Sequence, residues 1–120
     1  MTDLIAFLNA RLDEDEAVAR RVEGTWRLDA PGTGVIIAED YGDGAEPCAN
    51  AFWGGVGEHI AHHDPARVLR EVEAKRAMLA ELTRWPFDYR PGCNDPIRLF
   101  VHLLAAPYSD HPDWRAQWAG

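Results

Sequence analysis

A mainly helical α+β fold, three helices with a small β-hairpin in a single compact domain (residues 1–120), follows from three features of this sequence. Two long segments repeat apolar residues at helical spacing, a third is apolar over a still wider arc, and residues 25–39 change to a strand-like pattern. The chain's 120 residues are 47% hydrophobic and 27% charged, which excludes a wholly disordered or collagen-like protein. A chain of this size buries roughly two-thirds of its unfolded surface, so it forms a core without a metal or a disulfide staple.

The first helix is expected over 3–23. Thr2 or Asp3 can cap its free N–H groups and Gly24 stops it. Leu4, Ile5, Leu8, Leu12, Ala19 and Val22 fall in one core-facing stripe, with Arg11, Asp13, Glu14, Arg20 and Arg21 mostly outside it. Next come two β-prone runs, Thr25-Trp26-Arg27-Leu28 and Val35-Ile36-Ile37-Ala38, separated by the turn cluster Ala30-Pro31-Gly32-Thr33-Gly34. A lone hairpin is marginal in water, so it must lie on the helices or pair with a further strand. Residues 40–57, with five glycines and Pro47, read as a long loop.

Asp64-Pro65 marks the start of a second helix, predicted over 64–85 and ended by Pro86. Asn94-Asp95-Pro96 repeats that grammar for a third, predicted over 96–106 and ended by Pro107. Its apolar arc is the widest of the three, which predicts the most buried helix, and only Arg98 and His102 mark a polar side. In the tail, Trp114 and Trp118 are four residues apart and would dock back on the body if that segment forms a turn.

Charge restricts function further. Twenty acidic against twelve basic side chains leave −8, and residues 24–63 alone carry −5. Such a field argues against broad phosphate binding. Arg67, Arg70, Arg76 and Arg84 on the second helix scatter around it among Glu71, Glu73 and Glu81, the pattern of a solvated, self-paired helix. A helix-based nucleic-acid binder is therefore a minor alternative. Two cysteines, Cys48 and Cys93, make no disulfide framework, and no apolar run approaches a membrane span. A soluble cytoplasmic protein is expected.

The histidines are the richest chemical feature. If residues 56–63 are helical, His59 and His63 share a face at a spacing that can hold a transition metal, with Cys48, Cys93, His102 or His111 as further ligands. No Cys-x-x-Cys or His-Glu-x-x-His motif fixes more than two ligands, so the commoner outcome is packing or solvation at a helix junction. Cys93 before a helix N-terminus could serve as a nucleophile, but no base is placed for it. Asp40 to Glu46 lacks the ladder of a calcium loop, and Gly54-Gly55-Val56-Gly57 lacks the Gly-Lys-Ser/Thr of a phosphate loop.

Two opposite charges intrude on apolar stripes. Asp15 lies among Leu8, Ala19 and Val22, and Lys75 among Val68, Leu79 and Leu82, while Glu16 and Arg76 sit at the stripe edges. Lone buried charges are costly, so the two helices are expected to meet with Asp15 near Lys75 and Glu16 near Arg76. In the competing reading Lys75 snorkels outward and Asp15 faces water.

Three blocks of the chain look familiar together: Phe7 to Glu16 (FLNARLDEDE), His59 to Arg76 (HIAHHDPARVLREVEAKR) and Leu104 to Trp114 (LAAPYSDHPDW). In that order they resemble an uncharacterised family of small actinobacterial and actinophage proteins. The resemblance implies a bacterial cytoplasm, or a phage acting in one, and brings no activity, cofactor or partner. From the residues themselves, the leading expectation is a small acidic, non-catalytic module without a cofactor that binds another protein. Trp53, Trp114 and Trp118 are the expected anchors, because tryptophan is enriched at binding hot spots, whereas Trp26 and Trp85 are expected in the core. The alternative from another class is a metal-assisted hydrolytic enzyme built on His59 and His63.

Overall fold

A computed structural model describes residues 2–22, 24–28, 34–37, 48–51, 55–84 and 96–119. Helix α1 (Thr2–Val22) leads into strands β1 (Trp26–Leu28), β2 (Gly34–Ile37) and β3 (Ala49–Asn50). Helices α2 (Val56–His62), α3 (Pro65–Arg84) and α4 (Pro96–Ala105) follow, and 3₁₀ turns occupy Ala106–Tyr108 and Ala116–Trp118. The protein is thus mainly helical with a small antiparallel sheet. The described chain packs as two units, one of residues 1–14 with 72–120 and one of residues 15–71.

In the first unit the stripe of α1 supplies Leu4, Leu8 and Leu12, at most 1% exposed. Val72 and Leu79 of α3, Val101 and Ala105 of α4, and Trp118 complete its buried apolar residues together with Phe7. The tail tryptophans dock as their spacing predicts. Phe7 lies 5.6 Å from Trp114 and 5.1 Å from Trp118, and the two indoles meet edge to face at 5.5 Å. His102 Nδ1 donates to the Trp118 carbonyl at 3.1 Å, and Arg115 pairs with Asp3 at 2.9 Å. Helix α4 departs from expectation. It buries Val101 and Ala105 but leaves Leu99, Phe100 and Leu103 each more than half exposed. The breadth of its apolar arc comes from two faces, one packed and one uncovered.

The second unit holds the sheet, whose strand order is β1-β2-β3. The predicted hairpin pairs Trp26 with Ile37 and Leu28 with Val35. A third strand adds Val35 opposite Ala49 and Gly34 opposite Asn50, and the Cys48 N–H continues the ladder to the Val35 carbonyl at 2.7 Å. Pairing with a further strand is what a marginal hairpin needs. Helix α2 lies against β1 and β2. It makes four helices among the described residues where three were expected, because seven residues inside a glycine-containing stretch show no readable period. Its buried Gly57 carries no side chain, which suits close packing. On α1, Ala19 is buried as expected, but Val22 is 51% exposed and stands outside the core it was assigned to.

Gly55 caps α2 with φ +86°, in the left-handed region, and a Cβ built there would touch nothing within 4 Å. Gly55→Ala is therefore expected to cost only backbone strain, about 1–2 kcal/mol, and Gly55→Asn less. Urea unfolding of the two variants checks this, and equal midpoints would refute it.

The predicted starts of the second and third helices hold to one residue. Trp85, residues 30–33 of the predicted turn cluster, residues 40–47 and Cys93 lie outside the described residues, while Gly34 of that cluster opens β2.

Candidate functional site

The His59/His63 condition is met, since both residues follow the turns of α2 and its C-cap. Their rings stack at 4.4 Å with 27° between planes. His63 Nδ1 donates to the His59 carbonyl at 3.2 Å, which leaves Nε2 as its remaining ring nitrogen for other partners. His62 approaches Glu58 at 3.9 Å, and all three histidines are exposed. Among the described residues, no group of three or more His, Cys, Asp or Glu side chains could hold a metal ion. Of the further ligands considered, the Cys48 thiol donates to the Val35 carbonyl, His102 holds the Trp118 carbonyl and His111 packs on Arg11. Stacked rings at a helix end fit the packing reading of this cluster.

Trp26 of β1, half-buried, borders two small cavities in the same unit. One, about 320 Å³, is shared with Leu28, Glu58, Ala61 and His62. The other, about 300 Å³, brings Asp15 and His63 to one apolar wall made by Val18, Val22, Pro65 and Val68. The indole N–H of Trp26 is buried without an acceptor.

The charged residues singled out on α1 and α3 have these partners. Arg76 reaches Asp13 at 2.6 Å, and Lys75 places its ammonium 5.6 Å from the centre of the Tyr108 ring. Glu16 pairs with Arg20 at 2.9 Å, one turn on. Elsewhere on α3, Arg67 binds Glu71 at 3.0 Å and Arg84 binds Glu81 at 2.9 Å. Two of the three interleaved glutamates, Glu71 and Glu81, thus pair with arginines of the same helix.

Arg11 is a correction. Placed outside the stripe of α1 in the sequence reading, it is 7% exposed, between Phe7 and Leu4 on the helix surface. Its guanidinium carbon stands 5.1 Å from the Phe7 ring centre, and Nη1 contacts the His111 imidazole and lies 3.6 Å from Asp113. The Glu14 carboxylate, 3.1 Å from Arg11 Nε, balances charge without the angle a hydrogen bond requires. Two of the three familiar blocks therefore meet here, tying the tail to α1. Counting Phe7 as part of the apolar stripe would have shown Arg11 inside it.

The tail does not supply an open tryptophan surface. Trp118 is 9% exposed and Trp114 half-buried, so Trp118 belongs to the core instead of standing free as an anchor. Trp53 lies outside the described residues. The exposed apolar surface of this unit is elsewhere. Ala77, Met78, Glu81 and Leu82 of α3 and Phe100, Leu103 and Leu104 of α4 line an open groove of about 610 Å³. Met78 is 47% exposed, Phe100 51% and Leu103 57%, with Glu81 the one carboxylate among the described wall residues. A scatter of single exposed apolar residues is ordinary, but a contiguous concave apolar patch marks a place of interaction. The sequence signal was the wide arc of 96–106, which reports how much of a helix is apolar and not what covers it.

No helix among the described residues is long and apolar enough to cross a membrane. No curated protein and no solved structure matches the chain. A family model does, over residues 1–120, and the chain belongs to that family, the family of unknown function DUF6221.

Proposed function

We propose that this protein is a non-catalytic interaction module that docks an apolar protein surface in the groove between α3 and α4. One observation carries the reading: the groove is about 610 Å³, walled almost wholly by apolar side chains, and its Met78, Phe100 and Leu103 stand about half in water. Grooves of this kind between helices receive amphipathic elements, and methionine on such a wall adapts to the shape it meets. The acidic balance of the chain, −8, disfavours anionic occupants such as nucleic acid or an anionic bilayer.

A photoreactive methionine at position 78, activated in the native cytoplasm, tests this. The expected product is a discrete protein adduct that disappears when Leu103→Glu is introduced. Adducts spread over many proteins, or unaffected by Leu103→Glu, would reject the groove as the docking surface.

A further inference from the structure

A cavity of about 300 Å³ in the second unit is bordered by Trp26 and shares no described residue with the α3–α4 groove. Its wall is fixed before any ligand arrives. The Asp64 carboxylate ties the Trp26 N–H to the start of α3, and the Ala66 N–H reaches back to the Gly24 carbonyl. These bonds hold the first residue of β1 and the N-terminus of α3 at a set spacing beside the last turns of α1. Val18, Val22, Pro65 and Val68 make the apolar part of the wall. Val18 and Val22 are more than half exposed, so that side is open to solvent.

The polar groups that the described wall offers are of one kind. Asp15, half-buried, brings a carboxylate, which when ionised only accepts hydrogen bonds. It is engaged within the chain, but a carboxylate accepts at about four lone-pair positions and keeps capacity for a ligand. His63 donates its Nδ1–H to the His59 carbonyl, so in the neutral ring Nε2 is left as an acceptor. The other N–H among the described wall side chains, that of the Trp26 indole, is buried and out of a ligand's reach. Trp26 therefore offers ring surface, which attracts cations. Charge agrees with this. Residues 15–71 hold eleven acidic and five basic residues, net −6, and Arg20 and Arg67 are already paired with Glu16 and Glu71. A field of that sign draws cations and repels anions. The occupant must then bring donors, positive charge and a small apolar body. We propose that this cavity binds a small primary ammonium ion with a compact aliphatic or aromatic body. Its head sits on Asp15 and His63, and its body lies against the valines and Trp26.

Phenethylammonium, phenethyl alcohol and phenylpropionate share a ring-bearing body and differ in the charge of the head. Titrating each into the labelled full chain, followed by proton–nitrogen correlation spectra, tests the proposal. Phenethylammonium is expected to shift the amides of Val18, Val22, Trp26 and Val68 and to saturate. Its Kd should be on the order of 0.1–1 mM, the range that about nine heavy atoms reach. The alcohol should bind several-fold more weakly, and phenylpropionate should leave these amides unmoved. Asp15→Asn keeps the shape and removes the charge, and it is expected to weaken phenethylammonium by on the order of tenfold with circular dichroism unchanged. Val22→Trp fills the cavity from a half-exposed position and should abolish binding, which keeps the test decisive should Asp15→Asn unfold. Leu103→Glu, on the groove, should change nothing, so the cavity and the docking surface are judged separately. Three results would overturn the proposal: no saturating shifts with phenethylammonium, equal binding of the alcohol or the carboxylate, or amine binding that survives either cavity substitution in a folded protein.

Discussion

Phe7→Ala is expected to lower the unfolding free energy by about 3–5 kcal/mol, a large share of the roughly 5–15 kcal/mol available to a domain of this size. Phe7 is 7% exposed, and four side chains converge on its ring. Trp114 and Trp118 meet it at 5.6 and 5.1 Å, His111 meets its edge at 5.8 Å, and Arg11 stands 5.1 Å from its centre. Truncation removes an aromatic body and leaves a cavity that two indoles and a guanidinium would have to fill. The tail is the part best able to respond, because the Phe7 contacts with residues 111–118 join positions about a hundred apart in sequence. Tryptophan fluorescence should therefore shift to longer wavelength in the folded state of the variant, before any global transition. Phe7→Leu, which keeps most of the volume, is expected to cost about 1 kcal/mol and to leave the emission near that of the wild type. Chemical unfolding followed by fluorescence and circular dichroism measures both quantities. A Phe7→Ala protein with wild-type midpoint and emission would show that the cluster contributes no stability.

What the sequence made legible is what local chemistry decides. Asp64-Pro65 and Pro96 start helices because a carboxylate can serve free N–H groups and proline suits the first turn, and α3 and α4 begin at Pro65 and Pro96. The hairpin was legible through two β-prone runs around a turn cluster. Its two-residue partner β3 was not, since Ala49–Asn50 is too short to show alternation. Helix α2 escaped for a related reason, being a seven-residue helix beside the sheet whose stability comes from β1 and β2 more than from propensity. The candidate site depends on what lies opposite a surface, and one helix's periodicity holds no such information. The arc of α4 is apolar as expected, but it does not make α4 the most buried helix, since Leu99, Phe100 and Leu103 are each more than half exposed. Lys75 and Asp15 were singled out for lying within apolar stripes, and both are half-buried, but the partners drawn for them depended on the packing of whole helices. Arg11 was legible in principle and was lost by leaving Phe7 out of the stripe.

Asp64→Ala is expected to cost about 2–4 kcal/mol, more than an ordinary helix cap, because one buried carboxylate serves two elements. The N-terminus of α3 can be accounted for donor by donor. Pro65 has no N–H, the Ala66 N–H donates to the Gly24 carbonyl at 3.2 Å, and the Arg67 N–H donates to Asp64 Oδ1 at 2.8 Å. The Val68 N–H then makes the first bond within the helix, to the Asp64 carbonyl at 3.1 Å. The second carboxylate oxygen, Oδ2, accepts from the Trp26 N–H at 3.0 Å, at the first residue of β1. With Asp64 only 6% exposed, alanine would strip both donors of their acceptor in a place water reaches poorly. The loss should appear as a fall in melting temperature of roughly 10 °C. It should also appear as faster amide exchange at Trp26 and Arg67 together, a coupling that a simple cap would not produce. Asp64→Asn separates the two bonds: its carbonyl oxygen can keep Arg67 as a partner, but its NH₂ then faces the Trp26 N–H, donor against donor. That variant is expected to retain protection at Arg67 and lose it at Trp26, with a smaller stability cost. Exchange that rises at Arg67 alone in Asp64→Ala would mean that the carboxylate caps α3 without holding β1, and the stability cost should then fall to about 1 kcal/mol.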